Sequence, residues 1–340
     1  MQTLAEHIAA RRAKGIGLKT AVMEHAVMRR GLPYQRLNRY LILVEPAGGV
    51  PIPFYNMLGP SISTPGCYLA DRKQDSRRLL AEAGVTVPAT ELFTRRQQRT
   101  AWRYAQGLSG GAVIKPTRLS RGRGITTGIH TEQEFDAAWE RAFEAYGGRS
   151  RNSQVIIEQH VTGEDFRCFV VGGELISATQ RRRPQVIGDG RSTVAELIAQ
   201  KNTVRAAHPT LNTYPIPTDP EQLDLLGEAG LTLEDVPSDG ETVVLRRTSN
   251  LSGGGDSVDV TDEIHPGFRE VAVRSVAAIP GMAYMGADLI APSVAVAPTE
   301  ENHVVTEVES SPGPLTDFPI EGTPRDMAGP ILEYYLKLQQ

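Results

Sequence analysis

Apolar positions follow two periods along the chain. Leu4, Ile8 and Ala9, then Val22, Ala26 and Met28 with His25, recur at helical spacing and predict two helices within residues 1–32. Gly31 and Pro33 end the second. YLILVEP (40–46) is a short run of buried-strand type, and VPIPFYN would pair with it across Gly48-Gly49. Residues 71–83 are amphipathic and stop at Gly84, which predicts a helix, with another through Trp102 and Tyr104 after Pro88. GGAVIKP (110–116) reads as a strand, and Thr131 with Glu134 forms a capping-box pattern that opens a helix to Phe143. SQVIIEQHVTGEDFRCFVVGGELISATQ then reads as a strand, a turn and two more strands.

A GDG turn precedes a helix from Thr193, and a small helix is expected around 221–227. ETVVLRR reads as a strand running into a second polar, glycine-rich loop that carries Asn250, and residues 267–280 read as a helix. Two strands follow, GADLI and HVVTEVE. Side chains alternate across a strand, so Glu307 and Glu309 share a face, and Asp288 stands alone in the GADLI run. Unpaired carboxylates on buried sheet are costly, and a divalent cation such as magnesium or manganese would remove that cost. Mutual repulsion among three such acids implies that neutralising one should leave stability unchanged or raise it. A solvated antiparallel hairpin explains the same residues, and both readings stay open on the residues alone.

At 340 residues the chain has room for two or three domains, and its net charge of −4 shows no global basic excess that would point to nucleic acid. Any anion must therefore meet a local cluster. Two cysteines form no disulfide framework, and no apolar run approaches the ~20 residues that cross a bilayer. MQTLAEHIAARRAKG has no signal-peptide core, so the expectation is a cytoplasmic protein with no membrane partner.

Candidate chemistry gathers in a few places. Lys115 is the only charge in its strand. The following TRLSRGRGITTGI places Gly122, Gly124 and Gly128 among Arg118, Arg121 and Arg123, a composition suited to bringing backbone N–H groups and charge to phosphate. Neither a Walker motif nor a Rossmann context accompanies it, and a flexible hairpin is the plainer alternative. Lys73 fits a solvated helix face, His160 a structural strand end, and Arg181 with its two arginine neighbours a surface patch.

Taken in order, VIKP, the glycine-rich loop, IIEQHVTGEDFR, RRRPQVIGDGRSTVAELI, VVLRRTSNLSGGGDSVDVTDEIHP, GADLIAP and TEVESSPG resemble the ATP-grasp superfamily. Within it they are similar to the ligase domains of cyanophycin synthetases and bifunctional glutathione synthetases, over about 71–319. The resemblance implies an α+β fold in which two α+β lobes sandwich ATP, beside a small N-terminal α/β lobe. The corresponding division is 1–70, 71–163 with the glycine-rich loop, and 164–340 with the metal and substrate sites.

The resemblance also implies roles. Lys73 and Lys115 contact ATP, and Arg121, Gly122, Arg123 and Gly124 belong to a mobile loop over the phosphates. Glu158, Gln159, His160 and Val161 form the hinge that reads adenine, and Asp165 holds the ribose. Asp288 and Glu307, with Glu309 less firmly, ligate Mg2+ or Mn2+. Arg246 stabilises the transferred phosphoryl group, with Arg181 and Asn250 on the substrate side. Glu309 departs from the asparagine usual at that place. No Mur-ligase-like or γ-glutamylcysteine-forming module lies within the 340 residues. That leads to the expectation of a free-standing enzyme joining two small-molecule amino acids, with the γ-carboxyl of glutamate as one donor and homo-oligomerisation left open. A regulatory nucleotide-binding protein, a kinase and a carboxylase component are the rival readings.

Overall fold

The computed structural model describes residues 2–117, 123–147 and 153–339. Helices α1 (Leu4–Arg12) and α2 (Leu18–Arg29) cover a three-stranded antiparallel sheet of β1 (Tyr34–Arg36), β2 (Leu41–Val44) and β3 (Ile52–Tyr55). Two helices follow, α3 (Thr64–Ala70) and α4 (Lys73–Glu82). Next come β4 (Thr90–Thr94), α5 (Gln98–Gln106), β5 (Ala112–Pro116), β6 (Thr126–Ile129), α6 (Glu132–Glu144) and β7 (Gln154–Gln159). Their strands form a sheet in the order β4-β7-β5-β6, with Phe135, Trp139 and Phe143 of α6 packed on it.

The largest sheet contains β8 (Glu164–Val171) and β9 (Glu174–Arg182). β10 (Gln185–Ile187), α7 (Val194–Ala207), α8 (Pro220–Glu228) and β11 (Thr242–Val244) then build a small excursion with its own apolar core. The chain returns through β12 (Asp256–Asp259), α9 (Pro266–Ala277), β13 (Tyr284–Ala291) and β14 (Val304–Glu309), and ends in α10 (Ala328–Lys337). The five-stranded order is β12-β9-β8-β13-β14, antiparallel throughout. Among the described residues no helix is long and apolar enough to cross a membrane.

Strand alternation explains how this sheet is used. Phe166, Cys168 and Val170 of β8, with Met285, Ala287 and Leu289 of β13, face α9 and α4. The opposite face divides along its length. Phe169, Val171 and Tyr284 lie under the N-terminal helices and α10, while Asp165, Arg167 and Asp288, at alternate positions further along, remain for polar chemistry. A bulge on β14 between the Asp288↔Glu307 and Leu289↔Val305 pairs keeps Glu307 opposite Asp288 while Val305 stays in the core.

Several expectations shift. α4 packs on the large sheet through Leu80, rather than on the sheet of β4 to β7. β4 precedes α5, and α3 and α10 are additional helices. ETVVLRR contributes only Thr242–Val244 as strand: Leu245 still donates to the Pro184 carbonyl, but proline has no N–H to extend the ladder.

Candidate active site

A cleft of about 570 Å³ separates the end of the four-stranded sheet from the polar part of the five-stranded one. Lys115 of β5 and the segment 158–163 that leaves β7 form one wall. Asp165, Arg181, Thr306 and Glu307 form the other, and residues 247–250 close one side. The connecting segment is fixed by backbone bonds from Gln159 N–H to Ala89 O and from His160 N–H to Gly111 O, each 2.9 Å. Gly163 is required where this segment crosses β13, because a Cβ there would lie 2.8 Å from the Ala291 carbonyl carbon.

Three ion clusters sit around the cleft, two buried and one partly exposed. Glu158 is held between Lys115 of β5 and Arg77 of α4. Arg77 also donates to Thr306 O at 2.9 Å and to Thr90 Oγ1 at 2.8 Å, tying α4, β4, β7 and β14 together. Burial opposes charge on both members of the Glu158–Lys115 pair. For Glu158 the Lys115 and Arg77 charges overcome it and hold the carboxyl below its usual range. Lys115, desolvated and crowded by Arg77 and Lys73, falls below the usual ammonium range.

The second cluster centres on Asp288, which has no exposed surface. Arg167 grips it with Nε to Oδ1 at 2.6 Å and Nη2 to Oδ2 at 2.7 Å, and Arg181 Nη2 adds a contact to Oδ2 at 2.8 Å. Burial would raise this carboxyl, but the two guanidinia hold it down to about 2. In the third cluster Lys73 pairs with Glu307, both side chains about a third exposed. Lys73 is pulled down mainly by burial.

Two further groups complete the surroundings. Asp165 accepts a 2.6 Å bond from Ser249 Oγ and is pushed up by burial despite the nearby Arg181. Lys19 of α2 reaches the end of β14, donating to Ser311 Oγ at 2.8 Å, and burial lowers it although Glu309 opposes that.

Of the residues singled out in the sequence, Lys115, Glu158, Gln159, His160, Val161, Asp165, Arg181, Asn250 and Glu307 line the cleft. Lys73, Asp288 and Glu309 stand just outside the lining, within the ion clusters. Arg123 and Gly124 form the turn into β6 and are not part of it. Arg118, Arg121 and Gly122 lie outside the described residues. Arg246 is carried elsewhere: its guanidinium binds Asp219 and Glu221 at the start of α8, and Arg247 faces the cleft in its place. The expectation of mutual repulsion among the three acids is reversed, since Asp288 and Glu307 are each neutralised by a protein cation.

Sequence reasoning missed Arg77, Arg167, Arg183, Arg247, Ser249 and Lys19. Arg167 had a signal, as the lone cation of its strand, two residues from Asp165. Arg77 and Lys19 had none, because a basic residue on a helix reads as solvated.

The donor set can be tested against a divalent cation. Among the described residues no three acidic, imidazole or thiol groups converge into a closed cage. Magnesium does not need one, since one or two carboxylates plus substrate phosphates suffice. Glu307 and the 39% exposed side chain of Glu309 fit that requirement, whereas both Asp288 oxygens are already taken by guanidinia. Lys115, Arg181, Arg183 and Arg247 around one cleft suit a polyanion.

No protein-family model matches the chain. It is 33% identical over 334 residues, 97% of its length, to the cyanophycin synthetase of a Nostoc species, spanning 36% of that protein. It is 36% identical over 236 residues, 66% of its length, to the glutathione biosynthesis bifunctional protein of Mannheimia succiniciproducens, spanning 30% of it. The chain thus covers about a third of the curated relatives it matches. The crystal structure of a bifunctional glutathione synthetase from Pasteurella multocida superposes with a TM-score of 0.71 at 27% identity, over 95% of this chain and 44% of that one.

Proposed function

Because this chain belongs to the ATP-grasp superfamily, we propose that it is an ATP-dependent ligase joining an amino-acid carboxylate to the amine of a second amino acid. The products are an amide, ADP and phosphate. The observation that carries this reading is the cleft, which puts the 158–163 segment at one side and Lys115, Arg181, Arg183, Arg247 and Glu307 around the same space. Adenine would meet the 158–163 segment, the ribose Asp165, and the phosphates the cationic groups. Glu307 and Glu309 would hold Mg2+ or Mn2+, which when bound neutralises phosphate charge during phosphoryl transfer. The chain's own cations supply the rest: fixed guanidinia and ammonium groups position the phosphates with little reorganisation.

The donor carboxylate attacks the γ-phosphoryl group to give an acyl phosphate, and the amine then displaces phosphate. The donor is a side-chain or an α-carboxylate of an amino acid, and the γ-carboxyl of glutamate is one candidate to test. Donor labelled with oxygen-18 in its reactive carboxyl should pass one labelled oxygen to phosphate for each amide formed. A panel of amino-acid pairs, followed by ADP release, identifies donor and acceptor. Unlabelled phosphate accompanying amide would overturn the acyl-phosphate route, and a stable phosphorylated product would make the protein a kinase.

A further inference from the structure

The chain crosses between its two larger sheets twice, and one side chain meets both crossings. α4 packs through Leu80 on the core of the five-stranded sheet, and residues 83–89 carry the chain from there to β4. Thr86 O accepts from Val305 N–H of β14 at 2.8 Å, and Ala89 O accepts from Gln159 N–H of β7 at 2.9 Å. The second crossing, 160–163, returns the chain from β7 to β8. Thr90 and Glu158, which stand where the crossings meet the four-stranded sheet, are paired across β4 and β7.

Arg77 of α4 joins these elements and is only 4% exposed. Its Nε donates to Thr306 O of β14 at 2.9 Å, and its Nη1 donates to Thr90 Oγ1 at 2.8 Å and to Glu158. Thr306 directly precedes Glu307, and Glu158 holds Lys115. Packing alone does not fix the first crossing. Val85 and Val87 rest on the core of the five-stranded sheet, but Ala89 is exposed. Pro88 lines both the cleft and a neighbouring cavity of about 520 Å³, so the chain there has space on more than one side. Directional bonds, those of a planar guanidinium among them, hold that end in place.

We propose that Arg77 is a positioning residue that sets the angle between the two sheets, and with it the separation of Lys115 from Glu307 across the cleft. Lobes joined by short segments move against each other unless something ties them. A ligand held between them binds more tightly when its two walls are already in place. Arg77 is absent from the cleft lining, so it acts through Glu158 and β14. The effect on nucleotide affinity rests on ATP occupying the cleft, whereas the effect on the crossings does not.

Hydrogen exchange in the nucleotide-free protein tests the tie directly. Arg77→Met keeps an apolar stem and removes every donor. The Gln159, His160 and Val305 amides, which close the crossings, should then exchange roughly tenfold faster or more. The amides of residues 285–289 inside β13 should keep their wild-type rates. Loss of stability alone would speed both sets, because the β13 amides open only with the whole fold. Calorimetry with a non-hydrolysable ATP analogue and Mg2+ supplies the second readout, and Arg77→Met should weaken binding by roughly tenfold.

Arg77→Lys keeps the charge beside Glu158 but cannot reproduce the fork, so it should recover only a small part of either loss. Thr90→Val removes one arm and leaves the guanidinium in place. It should speed the same three amides by a smaller factor, about threefold, and it decides the matter if Arg77→Met fails to fold. Equally faster exchange in β13, full recovery in Arg77→Lys, wild-type rates at the three amides in Thr90→Val, or wild-type analogue affinity in folded Arg77→Met would each overturn the proposal. An analogue that fails to bind the wild type would instead overturn ATP as the occupant of the cleft, and the exchange pattern would still decide the role of Arg77.

Discussion

Asp288 and Asp317 are both buried carboxyls, and the protein treats them in opposite ways. Asp288 sits mid-strand, gripped by Arg167 and flanked by Arg181, and is held down to about 2. Asp317 lies in irregular chain beyond β14, meets one backbone N–H, has Asp326 near it, and is pushed up to about 8. Burial raises both; the guanidinia pull Asp288 down, whereas the charge of Asp326 pushes Asp317 further up. A buried acid is therefore a poor guide to charge until its neighbours are known. Here one acid anchors a cationic network and the other is held as a neutral acid.

The largest test of this contrast is Asp288→Asn. Removing the negative charge leaves Arg167 and Arg181 uncompensated in a buried place, which should cost about 3–5 kcal/mol of stability and abolish ligation. Chemical denaturation of variant and wild type measures the first, and a normal midpoint would mean that the guanidinia do not depend on Asp288.

pH sharpens the contrast next. Asp288 and Glu158 have folded pKa values below their unfolded ones, so their stabilisation is full above about pH 4 and is lost as pH falls toward 2. Asp317 has the opposite sign. Its folded pKa lies above the unfolded value, so its contribution is full below about pH 4 and is lost as pH rises through about 8. Asp317→Asn should accordingly gain stability relative to wild type between pH 5 and about 8.5, read from thermal midpoints across that range. A difference that stays flat with pH would show that Asp317 is not buried as a neutral acid.

The smallest effect on stability belongs to the exposed pair. Lys73→Met breaks a contact whose partners are each about a third exposed, so stability should change by less than about 1 kcal/mol. Turnover should fall further than that, because Lys73 stands beside Glu307 at the cleft. A stability loss matching that of Asp288→Asn would erase the distinction between buried and exposed pairs.

Periodicity exposed most of the helices and strands, since amphipathic spacing and capping residues are local properties. It placed α6 through Thr131 and Glu134, which the structure shows as a reciprocal cap. It also found Lys115 and Asp288, because a lone charge in an apolar strand is conspicuous, whereas Asp165 came only from the family resemblance. What it could not supply were the partners. Arg77 reaches Glu158 across 81 residues and Arg167 reaches Asp288 across 121, and no local pattern encodes such pairings. The exchange of Arg246 for Arg247 at the cleft had a similar origin. Neighbouring residues point in different directions, and the strand ends at Val244, before both arginines, so alternation along it could not say which one faces the cleft.

The packing of α10 against α2 has a consequence for how the chain is made. Ala21, Val22 and Phe54 share one core with Ile331, Leu332 and Tyr335, which are synthesised nearly three hundred residues later. At common elongation rates of about 5–20 residues per second, the first helices and strands must wait on the order of tens of seconds for the segment that completes them. During that interval their apolar faces are open to chaperones and to other nascent chains. Such distant pairing also raises contact order, so folding of this core should be slow and should finish only after the ribosome has released residues 327–335.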